Sequence, residues 1–259
     1  MSKKTDTKER MALIDLDLMA YMAVTEGQEE WRDPKTNEWT YCLDEDATIE
    51  ALNDRIEQIC AECKCESALL CVGAGRYFRH IIEPEYKASR KNKRKPLGYR
   101  GVVDRMIEEW TAEHGVGLEA DDVMGLLHTD PNSEFHTVLV SSDKDMKTLP
   151  GEWYNAFKEV PETTHTTTLE ADRAMFAQAL TGDSSDGYPG CKGVGAVKAT
   201  QHLAGAGTVR EMWDIVRAVF VDAGRTPDDA LLQIRLARIL RYGDYNWEDG
   251  QVNLWTPPK

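Results

Sequence analysis

Three short apolar runs mark the first half of the chain, at 11–14, 68–72 and 137–141. Each is too short for a helix and is followed at once by polar or glycine-rich residues, so each predicts a buried strand. Between them, apolar residues recur at helical spacing, at Leu52, Ile56, Ile59 and Cys63 and again at Val102, Val103, Met106 and Trp110. The spacing predicts helices over 51–63 and 102–110. Strands alternating with helix-length amphipathic stretches predict an α/β fold, a mostly parallel central sheet flanked by helices. Ligands of such open sheets gather at the carboxyl ends of the strands.

After Pro150 the pattern changes. A polar, threonine-rich stretch extends to Thr168, and Thr167-x-x-Glu170 has the spacing of a capping box, which predicts a helix from there to Leu180. Five glycines and Pro189 punctuate 182–195, and 196–203, 209–221 and 227–242 read as helices. Two regions are expected: an α/β domain over 1–165 and an all-helical region over 166–259, with a glycine hairpin at 187–200.

The chain has 259 residues, 41% of them hydrophobic, enough to bury a sizeable core. No stretch approaches the ~20 apolar residues of a membrane helix. Asp15 and Asp17 interrupt the apolar run behind the basic N-terminus, against a signal peptide, so a cytoplasmic location with no membrane partner is expected. Six cysteines then read as reduced thiols. A net charge of -14 argues against a protein that simply coats nucleic acid. The average conceals a segregation: residues 76–100 carry nine basic residues and two acidic ones, a local +7, which leaves -21 on the rest. Such a segment is either an anion grip or a solvated loop.

Acids cluster where strands end. Asp15 closes the first predicted strand, Asp143 and Asp145 follow the third, Glu119, Asp121 and Asp122 precede an apolar helical stretch, and Asp183 and Asp186 lie in the glycine-rich loop. Acids at a helix start are also favoured by the helix dipole alone. Two carboxylates ~4 Å apart repel by about 4 kcal/mol at an effective dielectric near 20, so a convergent group must protonate or hold cations. An all-oxygen set suits Mg²⁺ or Mn²⁺ better than zinc. The matching chemistry is metal-assisted phosphodiester hydrolysis. In Gly190-Cys-Lys-Gly193-Val-Gly195-Ala-Val-Lys198, Ala196 and Val197 stand where a nucleotide phosphate loop needs Lys-Ser/Thr, and no strand precedes it. The remaining readings are a plain helix-helix turn and a hairpin whose backbone N–H groups face a DNA phosphate.

Ile14-Asp-Leu-Asp17, Tyr86-Lys-Ala-Ser-Arg90, Gly117-Leu-Glu-Ala-Asp-Asp-Val-Met-Gly125, Ser142-Asp-Lys-Asp145 and Gly182-Asp-Ser-Ser-Asp-Gly-Tyr-Pro-Gly190 occur in that order. In order and spacing they resemble flap endonucleases and 5′→3′ exonucleases, above all those of short-tailed bacteriophages, whose ending is also similar to Ala237-Arg-Ile-Leu-Arg-Tyr242 through Leu254-Trp255. The resemblance is weakest at 25–65 and 151–170. It implies a PIN-like α/β nuclease domain, a basic helical arch over 76–100 and a helix-three-turn-helix module. It implies a metal-dependent 5′→3′ exonuclease or flap endonuclease acting near 5′ ends of duplex DNA in phage replication, with RNA–DNA hybrids as further substrates, in the cytoplasm of an infected host. Asp15, Glu119, Asp121 and Asp122 would serve one Mg²⁺ or Mn²⁺ ion, and Asp143, Asp145, Asp183 and Asp186 a second; a K⁺ ion would sit at the glycine hairpin. Lys87 and Arg90 would meet the scissile phosphate beside Asp143, and Tyr86 would stack a terminal base. Lys91, Lys93, Arg94, Lys192, Gly193, Gly195 and Lys198 would complete the DNA contacts. One departure stands out: the strand over 68–72 should deliver a further ligating Asp, and Gly73 stands there. That leaves a carboxylate fewer or a weaker site.

The other chemistry-bearing residues have plainer expectations. Cys60, Cys63, Cys65 and Cys71 lack a second pair at zinc-finger spacing, so thiols are expected. His80 reads as incidental, and Trp153, Trp213, Trp247 and Trp255 as core. Rival readings are a non-catalytic binder of branched DNA and a PIN-type ribonuclease; activity on single-stranded RNA alone would favour the latter.

Overall fold

The computed structural model describes residues 8–91 and 93–258; the basic N-terminus lies outside them. In chain order the elements are β1 (Arg10–Asp15), α1 (Leu16–Gly27), β2 (Glu29–Arg32), β3 (Trp39–Cys42), α2 (Glu45–Cys63), β4 (Ser67–Ala74), α3 (Arg79–Ile82), α4 (Tyr99–Glu109) and β5 (Ala112–Val116). There follow α5 (Ala120–His128), β6 (His136–Val140), β7 (Gly151–Asn155), β8 (Glu162–Thr166), α6 (Thr168–Thr181), α7 (Ala196–Leu203), α8 (Val209–Asp222), α9 (Pro227–Ala237), β9 (Tyr245–Asn246) and β10 (Gln251–Val252). Among the described residues no helix is long and apolar enough to cross a membrane.

Six strands form one sheet in the order β5-β4-β1-β6-β7-β8, parallel except for the final β7–β8 pair. From central β1 the chain crosses first to β4 on one side and later to β6 on the other. This reversal leaves a crevice at the carboxyl ends beside β1. Ala12 and Ile14 of β1, Leu70 and Val72 of β4, and Val138 and Val140 of β6 face a core shared with α1, α2 and α4. Leu13, Cys71 and Leu139 face the opposite core, against α5 and residues 239–245. Covered on both faces, these strands read as unbroken apolar runs instead of an alternation. Asp15, in step with Leu13, belongs to the α5 side of the sheet.

The threonine-rich stretch contributes more than a connection. Its residues form β7 and β8, with Trp153 and Tyr154 turned to apolar neighbours and β-branched threonines on the exposed edge strand. Thr167 does cap α6, with Glu170 reaching back to the Thr167 N–H at 2.9 Å. The last predicted helix stops at Ala237, because Arg238 carbonyl and Leu240 N–H are taken by Arg79 and Asp122. The region is not wholly helical: β9 and β10 form a small hairpin. Its four helices otherwise enclose a separate core around Phe176, Leu203, Trp213 and Phe220. Among the described residues of 76–100 there is no continuous helix. Pro84, Pro96 and left-handed backbone at Lys87 and Gly98 reduce the segment to α3 and a 3-10 turn over Ala88–Arg90 before α4 begins.

Candidate active site

Asp15 ends β1 and caps α1, accepting Leu18 N–H at 3.0 Å and Ser141 Oγ–H at 3.1 Å. It is 5% exposed, and burial with Asp17 and Asp143 nearby pushes its carboxyl up to about 7. Asp143 and Asp145 follow β6, where Asp143 caps a 3-10 turn by accepting the Asp145 N–H at 2.8 Å. Trp153 Nε1–H, bonded to Ser141 carbonyl at 2.8 Å, fixes that strand end. Burial and then Asp143 push Asp145 up to about 6, although Gln178 Nε2 donates to its Oδ2 at 2.6 Å; its buried Oδ1 has no partner among the described residues. Asp121, in the first turn of α5, is raised well above the carboxylate range by burial and then by Asp15 and Asp143. Two strand ends and one helix start thus set Asp15, Asp121 and Asp143 within reach of one another's charge, with Asp145 beside Asp143.

A second set of acids is held by cations. Burial pushes Glu119 up, but Arg79 and Lys87 outweigh it and leave its carboxyl below the usual range. Lys87 Nζ pairs with Glu119 and lies 3.6 Å from Asp186, and Arg90 Nη2 donates to Asp186 at 2.9 Å. Burial nonetheless keeps Asp186 raised. At Asp183 burial is overcome by the N–H groups of Ser185 and Asp186 and by Lys144, and its carboxyl is lowered. The loop that carries these two acids closes on itself: a Cβ on Gly190 would stand 2.3 Å from Gly182 N, so the close approach demands glycine. Lys87 N–H donates to Asp186 carbonyl at 2.7 Å, which ties the basic segment to this loop.

Some sequence-predicted roles change. Asp122 is wholly buried, and both oxygens are committed to Arg79 at 2.6 and 2.8 Å and to the N–H groups of Glu119 and Leu240. It anchors structure and offers no free oxygen to an ion. Tyr86 is 3% exposed, hydroxyl-bonded to Glu119 and Asp186 at 3.0 Å each, with Lys87 and Arg79 against its ring. No face of it is open to a base. His80 packs between Tyr77 and Tyr86, and Trp247 is 47% exposed, not core. Cys60, Cys63 and Cys65 lie on one side of the sheet and Cys71 on the other, all as free thiols. Among the described residues no three His, Cys, Asp or Glu side chains are already gathered as a metal cage.

The geometry also adds residues. Arg79, one of the nine basic residues of 76–100, is buried and holds together Glu119, Asp122 and the carbonyls of Leu236 and Arg238. Asp17 accepts Gly73 N–H at 2.9 Å and Tyr99 O–H at 2.9 Å, and a Cβ on Gly73 would stand 2.8 Å from its Oδ2. A carboxylate therefore does border Gly73, delivered from α1. The one sequence signal for Asp17 is its place two residues after Asp15. Lys192, Gly193, Gly195 and Lys198 all lie exposed where α6 leads into α7, with open space around both glycines, and Lys198 Nζ donates to Gly193 carbonyl at 2.9 Å. Lys91, Lys93 and Arg94 are exposed as well.

The sequence profile described as "5'-3' exonuclease, N-terminal resolvase-like domain" matches residues 34–178. The chain is 27% identical to the exodeoxyribonuclease of Enterobacteria phage T3 and 28% identical to the exonuclease of Escherichia phage T7, each alignment covering 85% of this chain and 84% of the relative. Among solved structures, the T5 D15 protein co-crystallized with metal ions superposes with a TM-score of 0.66 at 14% identity, over 88% of this chain and 89% of that one. The catalytic core of Rad2 in complex with DNA substrate gives 0.54 at 13% identity, over 100% and 86%. These two likenesses are of fold. With a family match over more than half its length, on a sheet whose strand ends gather these acids, the chain belongs to the 5′→3′ exonuclease family.

Proposed function

We propose that this chain is a divalent-metal-dependent 5′→3′ exonuclease and flap endonuclease that hydrolyses phosphodiester bonds near the 5′ ends of duplex DNA. The observation that carries the reading is the placing of Asp15, Asp121, Asp143 and Asp145 at neighbouring strand and helix ends, where burial first, and then the charge of neighbouring acids, raises Asp15, Asp121 and Asp145. Such a set must protonate or hold cations, and Asp145 keeps a buried oxygen without a partner. The all-oxygen donors favour Mg²⁺ or Mn²⁺. The names of the phage T3 and T7 relatives support exonuclease activity, and the metal ions crystallized with the T5 D15 protein support the cation requirement.

Two bound ions would activate the attacking water and neutralise charge on the leaving oxygen. Around them Asp15 and Asp121 would hold one ion, with Asp143, Asp145 and Asp183 on the side of the second. Glu119 and Asp186 fix Lys87 and Arg90 beside the acids, where their charge would meet a scissile phosphate. Residues 1–165 would then carry the chemistry and 166–259 would grip the duplex, with Lys192, Lys198 and the open glycine backbone on phosphate. A K⁺ ion at that hairpin, RNA–DNA hybrid substrates, a role in phage replication and the host cytoplasm as location belong to the same reading. The non-catalytic alternative drew on Gly73 and is weakened by the Asp17 carboxylate beside it.

Asp143→Ala is expected to abolish cleavage of 5′-labelled duplex while the dissociation constant for that duplex stays near the wild-type value. Full cleavage by this variant would remove Asp143 from the machinery.

A further inference from the structure

The β2–β3 hairpin falls where the family resemblance is weakest, and none of the site described above uses it. Its register pairs Arg32 with Trp39 and Glu30 with Tyr41, so these four side chains share one face. On that face the Arg32 guanidinium lies 5.5 Å from the Trp39 ring centroid, and the Trp39 and Tyr41 rings lie 6.3 Å apart, 23° from parallel. Arg94, from the basic segment, sits 4.1 Å over Tyr41. The result is a pair of stacked rings with an arginine at each end, and Trp39 is 51% exposed. Three acids of the hairpin accept local hydrogen bonds: Asp33 from the N–H groups of Lys35 and Thr36, Glu38 from Thr36 Oγ–H, and Glu30 from Gln28 Nε2–H; Glu29 lies on the opposite face. This face is also tied to the acid cluster. Lys95, next to Arg94, lies 4.4 Å over Tyr99, whose hydroxyl donates to Asp17, and Leu97 N–H bonds Gln28 at the foot of the hairpin.

Stacked rings between arginines, one of them half-exposed, suit unpaired bases and their phosphates, whereas a duplex keeps its base faces covered. We propose that this face of the β2–β3 hairpin, with Arg94, is a stacking platform for the unpaired 5′ strand of a flap. It leads that strand along the basic segment from the acids at Asp17. The proposal rests on the nuclease reading and adds to it the surface that distinguishes flapped from blunt ends.

The test compares dissociation constants, by fluorescence anisotropy in EDTA, for a duplex with a short 5′ DNA flap and for the same duplex with a blunt end. Trp39→Ala with Tyr41→Ala is expected to weaken flap binding by about tenfold or more, the loss that one or two base stacks would give, and to leave blunt-duplex binding unchanged. Trp39→Phe with Tyr41→Phe keeps both rings and is expected to retain most of the flap affinity, and Trp31→Ala, on the opposite face, all of it. Unchanged flap affinity in the alanine variant, or an equal loss on both substrates, would overturn the proposal. Binding is read without turnover, so a wild-type protein that bound flaps but cleaved nothing when Mg²⁺ was added would count against the nuclease reading alone.

Discussion

Gly73 shows how one residue can mislead when its neighbours are unseen. From sequence alone, placing Asp there should complete an acid set. In the fold, Asp17 already stands against it, and Tyr77 Oη would lie 2.9 Å from a new Cβ. Gly73→Asp is therefore expected to destabilise the protein by about 1–3 kcal/mol through overpacking and like charge, read from the denaturant midpoint. Asp17→Ala in the same chain is expected to restore most of that loss; additive losses would show that the two residues do not compete for one space. Asp15, Asp143 and Asp145 were legible because each follows directly on an apolar strand. The burial of Tyr86 and the closure of Asp122 were not, since both depend on Arg79 arriving from another part of the chain.

Arg79 makes α3 an anchor. Its guanidinium fastens the start of α5 to the end of α9, and this bond set turns the chain after Ala237 back toward the α/β sheet. Removing it would leave Asp122 buried and uncompensated, so Arg79→Ala is expected to cost about 3–5 kcal/mol. A loss below about 1 kcal/mol would mean that α5 and α9 are held by packing alone. Local signals were enough for the elements with local causes: the Thr167 capping box fixed the start of α6, and the apolar runs fixed β1, β4 and β6. The β7–β8 hairpin and the early end of α9 have distant causes, a sheet edge to complete and a guanidinium to satisfy, and neither leaves a periodic trace.

At the scale of the molecule, the charge segregation seen in the sequence proves to be partly internal, since Arg79, Lys87 and Arg90 spend their charge on Glu119, Asp122 and Asp186. The acids left without cations set a pH dependence. Asp15, pushed up to about 7, and Asp145, pushed up to about 6, keep protons that the unfolded chain loses near 3.8. Their contribution to stability is full below that value and is lost as pH rises through 6 to 7. Burial holds His128 at about 4 against an ordinary 6.5 and gives the opposite slope between those two values. Divalent cations compete with those protons, so the rise in Tm on adding Mg²⁺ is expected to be larger near pH 8 than near pH 5.5, and Asp15→Asn is expected to shrink the difference. A Mg²⁺ increment independent of pH would detach these carboxylates from the ion.

The most direct measurement is cleavage itself. Protein stripped of metal is incubated with a 5′-labelled duplex and a matching 5′-flap substrate, Mg²⁺ or Mn²⁺ is added, and product lengths are read on a denaturing gel. The account predicts no product before the addition and short 5′ products after it. Intact substrate after metal addition, with DNA still bound, would contradict it.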